Sequence, residues 1–182
     1  MTVRDILIIA CDMSAKSDIA LKLITNEGLN EEESLFVDEL TKCFNFVQNE
    51  VCTEYIPVIY SEKLVSKNGK FPISSLSKSL AYIIALKDEN GKDIKQKIYC
   101  GDLVFDGEAE IEYCYSPEKQ TIDDEVIMCL PDRVVAYGVL REYFLLHDLT
   151  SEASQFEEKF KNSLATFCRK HGKIILPKRI WS

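Results

Sequence analysis

Two histidines, seven cysteines and a run of three acids are the side chains in this sequence best equipped to bind a metal or attack an electrophile. His147 stands directly before Asp148, the dipeptide of metal-dependent phosphohydrolases. Such a site needs several further His and Asp ligands, and the only other histidine is His171. His147 also falls at the expected end of a helix, where the dipole favours a cation, so a capping role is expected. The cysteines, at 11, 43, 52, 100, 114, 129 and 168, are odd in number and include no CxxC pair. Free and mostly buried thiols in a reducing compartment are expected, not a disulfide framework or a zinc site. A nucleophilic cysteine needs a histidine held beside it, and nothing in the sequence selects one pairing from the many available.

The remaining chemistry is thin. No GxSxG, GxxxxGK[ST] or GxGxxG occurs, and no glycine-rich loop remains to cradle a phosphate. Asp123, Asp124 and Glu125 could touch a cation, but they precede a helix and are expected to form an acidic loop. Tyr99, Tyr113 and Tyr115 could stack on single-stranded nucleic acid. Their flanks carry Glu108, Glu110 and Glu112, which oppose phosphate, so core or interface aromatics are expected. The expectation is a non-enzyme: no catalytic residue, no metal ligand and no cofactor.

Charge is uneven along the 182 residues. The chain carries 22 basic and 30 acidic side chains, a net of −8. Residues 159–182 hold seven of the basic ones and no acid, which leaves 15 basic against 30 acidic elsewhere, a net of −15. A body of that charge repels nucleic acid. The basic end reads either as a solvated terminus or as an arm for an acidic partner. Hydrophobic residues make up 46%, a globular balance, and no apolar run approaches the ~20 residues that span a bilayer. Residues 6–11 are apolar but short and follow Asp5, which reads against a signal peptide; the chain is expected to stay in the compartment where it is made.

The elements that must position these side chains follow from periodicity. Thr2 with Asp5 forms a capping-box pattern for a helix to about Cys11, and a second helix fits residues 18–25, stopped at Asn26 and Gly28. Asn30 caps a longer helix to about Glu54, with acids in its first turn and a stripe of Phe36, Leu40, Cys43, Phe44, Val47 and Val51. From residue 55 the period becomes two. Asn68-Gly69, Asn90-Gly91 and Asp106-Gly107 mark type I′ hairpin turns, and strands are expected at 80–86, 94–100 and 108–116. The last of these places Ala109, Ile111, Tyr113 and Tyr115 on one face, and Pro72 belongs on an edge. Helix returns at LPDRVVAYGVLREYFLLHDLTSEASQFEEKFKNSL. Pro131 opens a helix striped by Val135, Val139, Leu140, Tyr143 and Phe144; a second, from about Ser151, carries Ala153, Phe156, Phe160, Leu164 and Phe167 and stops at Gly172. The short turn between them makes an antiparallel hairpin, expected to pack on the Phe36 helix. The expected fold is α+β: a small antiparallel helical bundle from both chain ends with an inserted antiparallel β region. Its parts are residues 1–54, the insertion 55–117, the hairpin 118–170 and a basic arm 171–182.

That order of parts resembles the head-to-tail connector (adaptor) proteins of tailed bacteriophages. The closest echo is the hairpin: a proline-started helix with Tyr137-Gly138 and Glu142-Tyr143, a brief turn, then Glu152-Ala153 and Phe156 ahead of a basic residue. The ending KIILPKRIWS resembles the Arg- and Trp-containing tails of that group. The resemblance covers the whole chain as architecture; in sequence it covers residues 54–57 and 111 onward. It implies a virion structural protein at the head-tail interface, made in the bacterial cytoplasm. It implies a homo-oligomeric ring, typically a dodecamer, that joins the portal protein to a tail or nozzle protein and encloses passing DNA, with no membrane. It assigns portal binding to Lys173, Ile174, Ile175, Leu176, Lys178, Arg179, Ile180 and Trp181. A tail-completion or terminator protein is the alternative within the same setting, and a small cytosolic regulatory protein lies outside it.

Overall fold

A computed structural model describes residues 1–171. The fold is α+β, with five α-helices and two small antiparallel sheets among the described residues. Contacts divide the chain into two compact units: Met1–Glu50 with the chain from Glu118 on, and Val51–Pro117.

In the helical unit, local capping starts and stops the helices as the side chains dictate. α1 (Val3–Met13) opens on a capping box in which the Thr2 amide donates to Asp5 Oδ2 at 2.8 Å and the Asp5 amide donates to Thr2 Oγ1 at 3.4 Å. α2 (Ser17–Thr25) ends where Asn26 takes φ 56°. α3 (Glu31–Glu50) opens on a second reciprocal pair, Glu33 amide to Asn30 Oδ1 and Asn30 amide to Glu33 Oε2, both 2.9 Å. Its α-helical bonding ends at Glu50, not at the expected Glu54, and a π turn follows over Val51–Tyr55.

α4 (Asp132–Leu146) and α5 (Thr150–His171) form the expected antiparallel hairpin. Pro131 is the N-cap, so the helix itself starts one residue later, at Asp132. α4 is the central helix, touching α1, α3 and α5. This is why Val134, Val135, Ala136, Gly138, Val139, Leu140 and Arg141 are all buried, a far wider face than one stripe. Gly138 makes the crossing possible: a Cβ there would lie 2.8 Å from Val47 Cγ1 on α3 and 3.1 Å from Phe160 Cε2 on α5. The buried line of α5 is Ala153, Phe160, Leu164 and Cys168, with Phe156 and Phe167 only half-buried.

The β unit contains β1 (Ile59–Val65), β2 (Lys70–Pro72), β3 (Leu80–Asp88), β4 (Ile98–Tyr99), β5 (Asp102–Val104) and β6 (Glu108–Tyr115). One sheet has the order β1-β6-β3 and the other β2-β5-β4, so Pro72 lies on an edge strand. The expected strand at 94–100 shrinks to Ile98–Tyr99, because β3 takes β6 as its ladder partner. Only a short return bonds to the outer edge of β3, with Asp88 N–H to the Lys92 carbonyl and Ile94 N–H to that of Leu86. Of the three expected type I′ turns, only Asn68-Gly69 has both residues at positive φ, 55° and 74°. Cys100-Gly101, at 51° and 86°, is a second such turn that the expected dipeptides passed over. The core between the sheets is Leu64, Leu86, Leu103, Phe105, Ala109, Ile111 and Tyr113.

Candidate functional site

His147 caps α4, and Asp148 takes φ 57° just beyond it. The His147 Nε2 lies 3.0 Å from Glu39 Oε2 of α3, and its ring centroid lies 4.5 Å from that of Tyr143. The pair is thus a helix terminus tied to a neighbouring helix. Among the described residues, no group of three or more His, Cys, Asp or Glu is placed to hold a metal ion.

All seven cysteines are free thiols; Cys11, Cys43, Cys52, Cys114 and Cys168 are buried, and Cys100 and Cys129 are exposed. Burial pushes the thiols of Cys11 and Cys43 up to about 12, so neither is a ready nucleophile. Of the acid run, Asp123 pairs with Arg4. Asp124 is held below the usual carboxylate range by the Thr121 amide, 2.6 Å away, and then by the Thr121 hydroxyl. The main chain of the same loop binds the start of α1, with Val3 N–H to the Asp124 carbonyl at 3.0 Å and Arg4 N–H to that of Ile122 at 2.8 Å. The Asp123 carboxylate and the main chain of this loop thus staple the chain start.

The tyrosines do not converge. Tyr99 is exposed on β4 of one sheet, whereas Tyr113 and Tyr115 stand on β6 of the other. Tyr113 is fully buried; its hydroxyl donates to Glu62 Oε1 at 2.6 Å and accepts the Lys78 amide at 3.1 Å. Burial, then the Glu62 carboxylate, pushes its phenol up to about 12. Glu62 also receives the Ser77 amide at 3.0 Å and hydroxyl at 2.7 Å. The arm residues Lys173, Ile174, Ile175, Leu176, Lys178, Arg179, Ile180 and Trp181 lie outside the described residues.

The site that the sequence reading missed is centred on Arg141, only 7% exposed. Its guanidinium meets Glu50 at the end of α3, Glu142 beside it at 2.6 Å, and Glu157 of α5 at 3.0 Å. It also lies over the Phe160 ring, 5.0 Å from the centroid. Burial opposes its charge, but the carboxylates of Glu50 and Glu157 outweigh that and raise it further above its ordinary value. Its Nε is buried and has no hydrogen-bond partner among the described residues. Around this cluster opens a groove of about 570 Å³, lined also by Leu145, Thr150, Ala153 and Ser154. The Ser154 hydroxyl is already spent on the Thr150 carbonyl. An arginine so held cannot exchange a proton at ordinary pH, and its role here is to tie α3, α4 and α5 together. A signal existed: Arg141 stands seven residues after Val134 and three after Gly138, on the buried side of α4.

No family model matches this chain, and no curated protein matches it.

Proposed function

We propose that this protein is a virion structural component, a head-to-tail connector whose copies form a ring between portal and tail around the passing DNA. The observation that carries the reading is the order of parts: helices from both chain ends in one unit, an antiparallel β unit between them in sequence, and a basic stretch of sequence after α5. The charge distribution supports it, since a body at net −15 lets DNA slide past. In this reading the seven basic side chains from Lys159 on steer the chain end to an acidic portal surface, and Ile174, Ile175, Leu176, Ile180 and Trp181 anchor it.

The test is co-purification of the tagged chain with particles from its source, followed by imaging of portal-containing assemblies. A ring under the portal is the expected result, and deleting residues 173–182 is expected to abolish attachment while the helix and strand content stays unchanged. Finding the chain only on free tails would shift the assignment to a tail terminator, and its absence from all particles would end both readings.

A further inference from the structure

The sheet β1-β6-β3 has two edges, and they are built differently. β3 meets β6 with register shifts between Leu80 and Tyr82 and between Ile83 and Ala85, and the return at residues 92–94 bonds to Leu86 and Asp88. Bulges and a covered rim are the usual defences of an edge strand. β1 has neither. Its register with β6 is unbroken over seven residues, and it contains no proline or glycine.

The bonds Tyr115 N–H to the Val58 carbonyl and Ser66 N–H to the Gly107 carbonyl set the phase of that ladder. Val58, Tyr60, Glu62, Leu64 and Ser66 therefore turn their main-chain groups to β6, and Ile59, Ser61, Lys63 and Val65 turn theirs outward. None of those four outward amides has a hydrogen-bond acceptor among the described residues. The same strand exposes Ile59 at 45% and Val65 at 59%, large β-branched side chains at its two ends.

We infer that β1 pairs antiparallel with β1 of a second copy of this chain, about a twofold axis through Glu62, giving one sheet continuous across both copies. Three features select this occupant and register. Ile59 of each copy falls opposite Val65 of the other, so both exposed apolar ends are covered at once. Tyr60 falls opposite Leu64 on the other face. The third feature is charge. On the outer face, Glu110 has a lysine on each side, Lys63 of β1 and Lys87 of β3, whereas Glu112 is flanked by Ser61 and Ala85. In the twofold register, Lys63 of the second copy lies beyond Ser61 in line with Glu112. At about 4.8 Å between strands, the lysine stem reaches over the small serine to that carboxylate. Opposed Glu62 side chains at the axis oppose the pairing. Each is already held by Tyr113 and Ser77 of its own copy. An isologous contact of this kind closes on itself and does not propagate.

The inference does not rest on the connector reading. Its test is sedimentation equilibrium of the full chain over a range of concentrations, with circular dichroism to check the fold. The wild type is expected to associate in pairs. Ser61→Pro, which removes an outward amide that β6 does not use, and Val65→Lys, which leaves the main chain intact, are each expected to weaken pairing roughly tenfold or more, the loss of at least one net hydrogen bond or buried contact per strand. Lys63→Glu is expected to weaken it too, and Glu112→Lys in the same chain to restore it. Should Ser61→Pro unfold the protein, Val65→Lys and the charge exchange still decide. A wild type that stays monomeric throughout, or association untouched by Val65→Lys and the charge exchange, overturns the inference. A ring built through the helical unit survives all these variants, so failure here and failure of the connector reading are separately visible.

Discussion

The helical unit buries a charge and the β unit buries a hydroxyl, and each turns to carboxylates for partners. Arg141, between α3, α4 and α5, takes three of them and still leaves its Nε without an acceptor among the described residues. Tyr113, on the central strand β6, needs only Glu62 as acceptor and the Lys78 amide as donor. An ionised group carried out of water loses far more hydration than a phenol, so it must gather more counter-charge to stay. The contrast also separates what each network does. The arginine joins three helices through ion pairs, whereas the tyrosine fixes the Ser77–Lys78 segment to β1 and β6 within one sheet neighbourhood.

The sharpest way to break this comparison is Arg141→Met. Removing the cation leaves Glu50, Glu142 and Glu157 facing one another, and a loss of about 3 kcal/mol in urea unfolding is expected, as for other buried pairs stripped of one partner. A loss comparable to that of an exposed pair would mean that the apolar contacts of α4 carry the junction alone. A pH titration followed by hydrogen exchange comes next. Cys11 and Cys43 of the helical unit rise from 9.0 to about 12 on folding, so the stability they contribute is complete below pH 9.0 and is lost as pH climbs toward 12. Tyr113 rises from 10.0 to about 12, but burial also raises the Cys114 thiol of the same strand from 9.0, so the β unit begins to lose stability in the same pH range as the helical unit. On the acid side the helical unit has more to lose, since Asp5, Glu33, Asp124 and Glu157 are held low there, against Glu62 in the β unit. Burial favours the protonated forms of Glu157 and Glu62, but Lys161 and Arg141 for the first and Tyr113 and Ser77 for the second outweigh it. Both carboxyls sit below their usual range, so their contribution is present above that range and lost as pH falls.

Gly138→Ala probes the helix crossing. Overpacking against Val47 costs about 1–3 kcal/mol and better helix propensity returns about 1, so a net loss near ~1 kcal/mol is expected, relieved when Val47→Ala is added. Tyr113→Phe is expected to cost about 1 kcal/mol in the β unit, measured the same way, because the Lys78 amide and Glu62 each lose a partner. The smallest change is a gain. Cys100 holds φ 51° in a tight turn, and Asn tolerates that conformation better, so Cys100→Asn is expected to stabilise by on the order of 0.5 kcal/mol.

The two units were also legible to different degrees. In the helical unit, Thr2 with Asp5, Asn30 with Glu33 and Asn26 act within a few residues of themselves, and the helices they bound were readable from spacing. In the β unit the alternation of β6 was readable, but the partner of β3 was not. A strand at 94–100 beside the Asn90-Gly91 turn satisfied the same local signals, and the ladder formed with β6 instead. Cys100-Gly101 escaped notice because cysteine is not a usual residue for that turn. The Arg141 cluster was hidden for another reason: its partners are 91 residues upstream at Glu50 and 16 downstream at Glu157.

What the sequence determined by itself is therefore the set of contacts closed inside one helical turn or one tight hairpin: the caps, the amphipathic stripes, the Asn68-Gly69 turn and the α4–α5 hairpin. The tertiary structure alone decided that α4 is the central helix, that Gly138 is the crossing point, that Arg141 is enclosed, and that the sheet order is β1-β6-β3, with the β1 edge unpaired among the described residues. The reason is physical. Local contacts close small loops whose conformational cost the residues themselves meet, whereas choices among distant partners depend on packing that no short stretch contains.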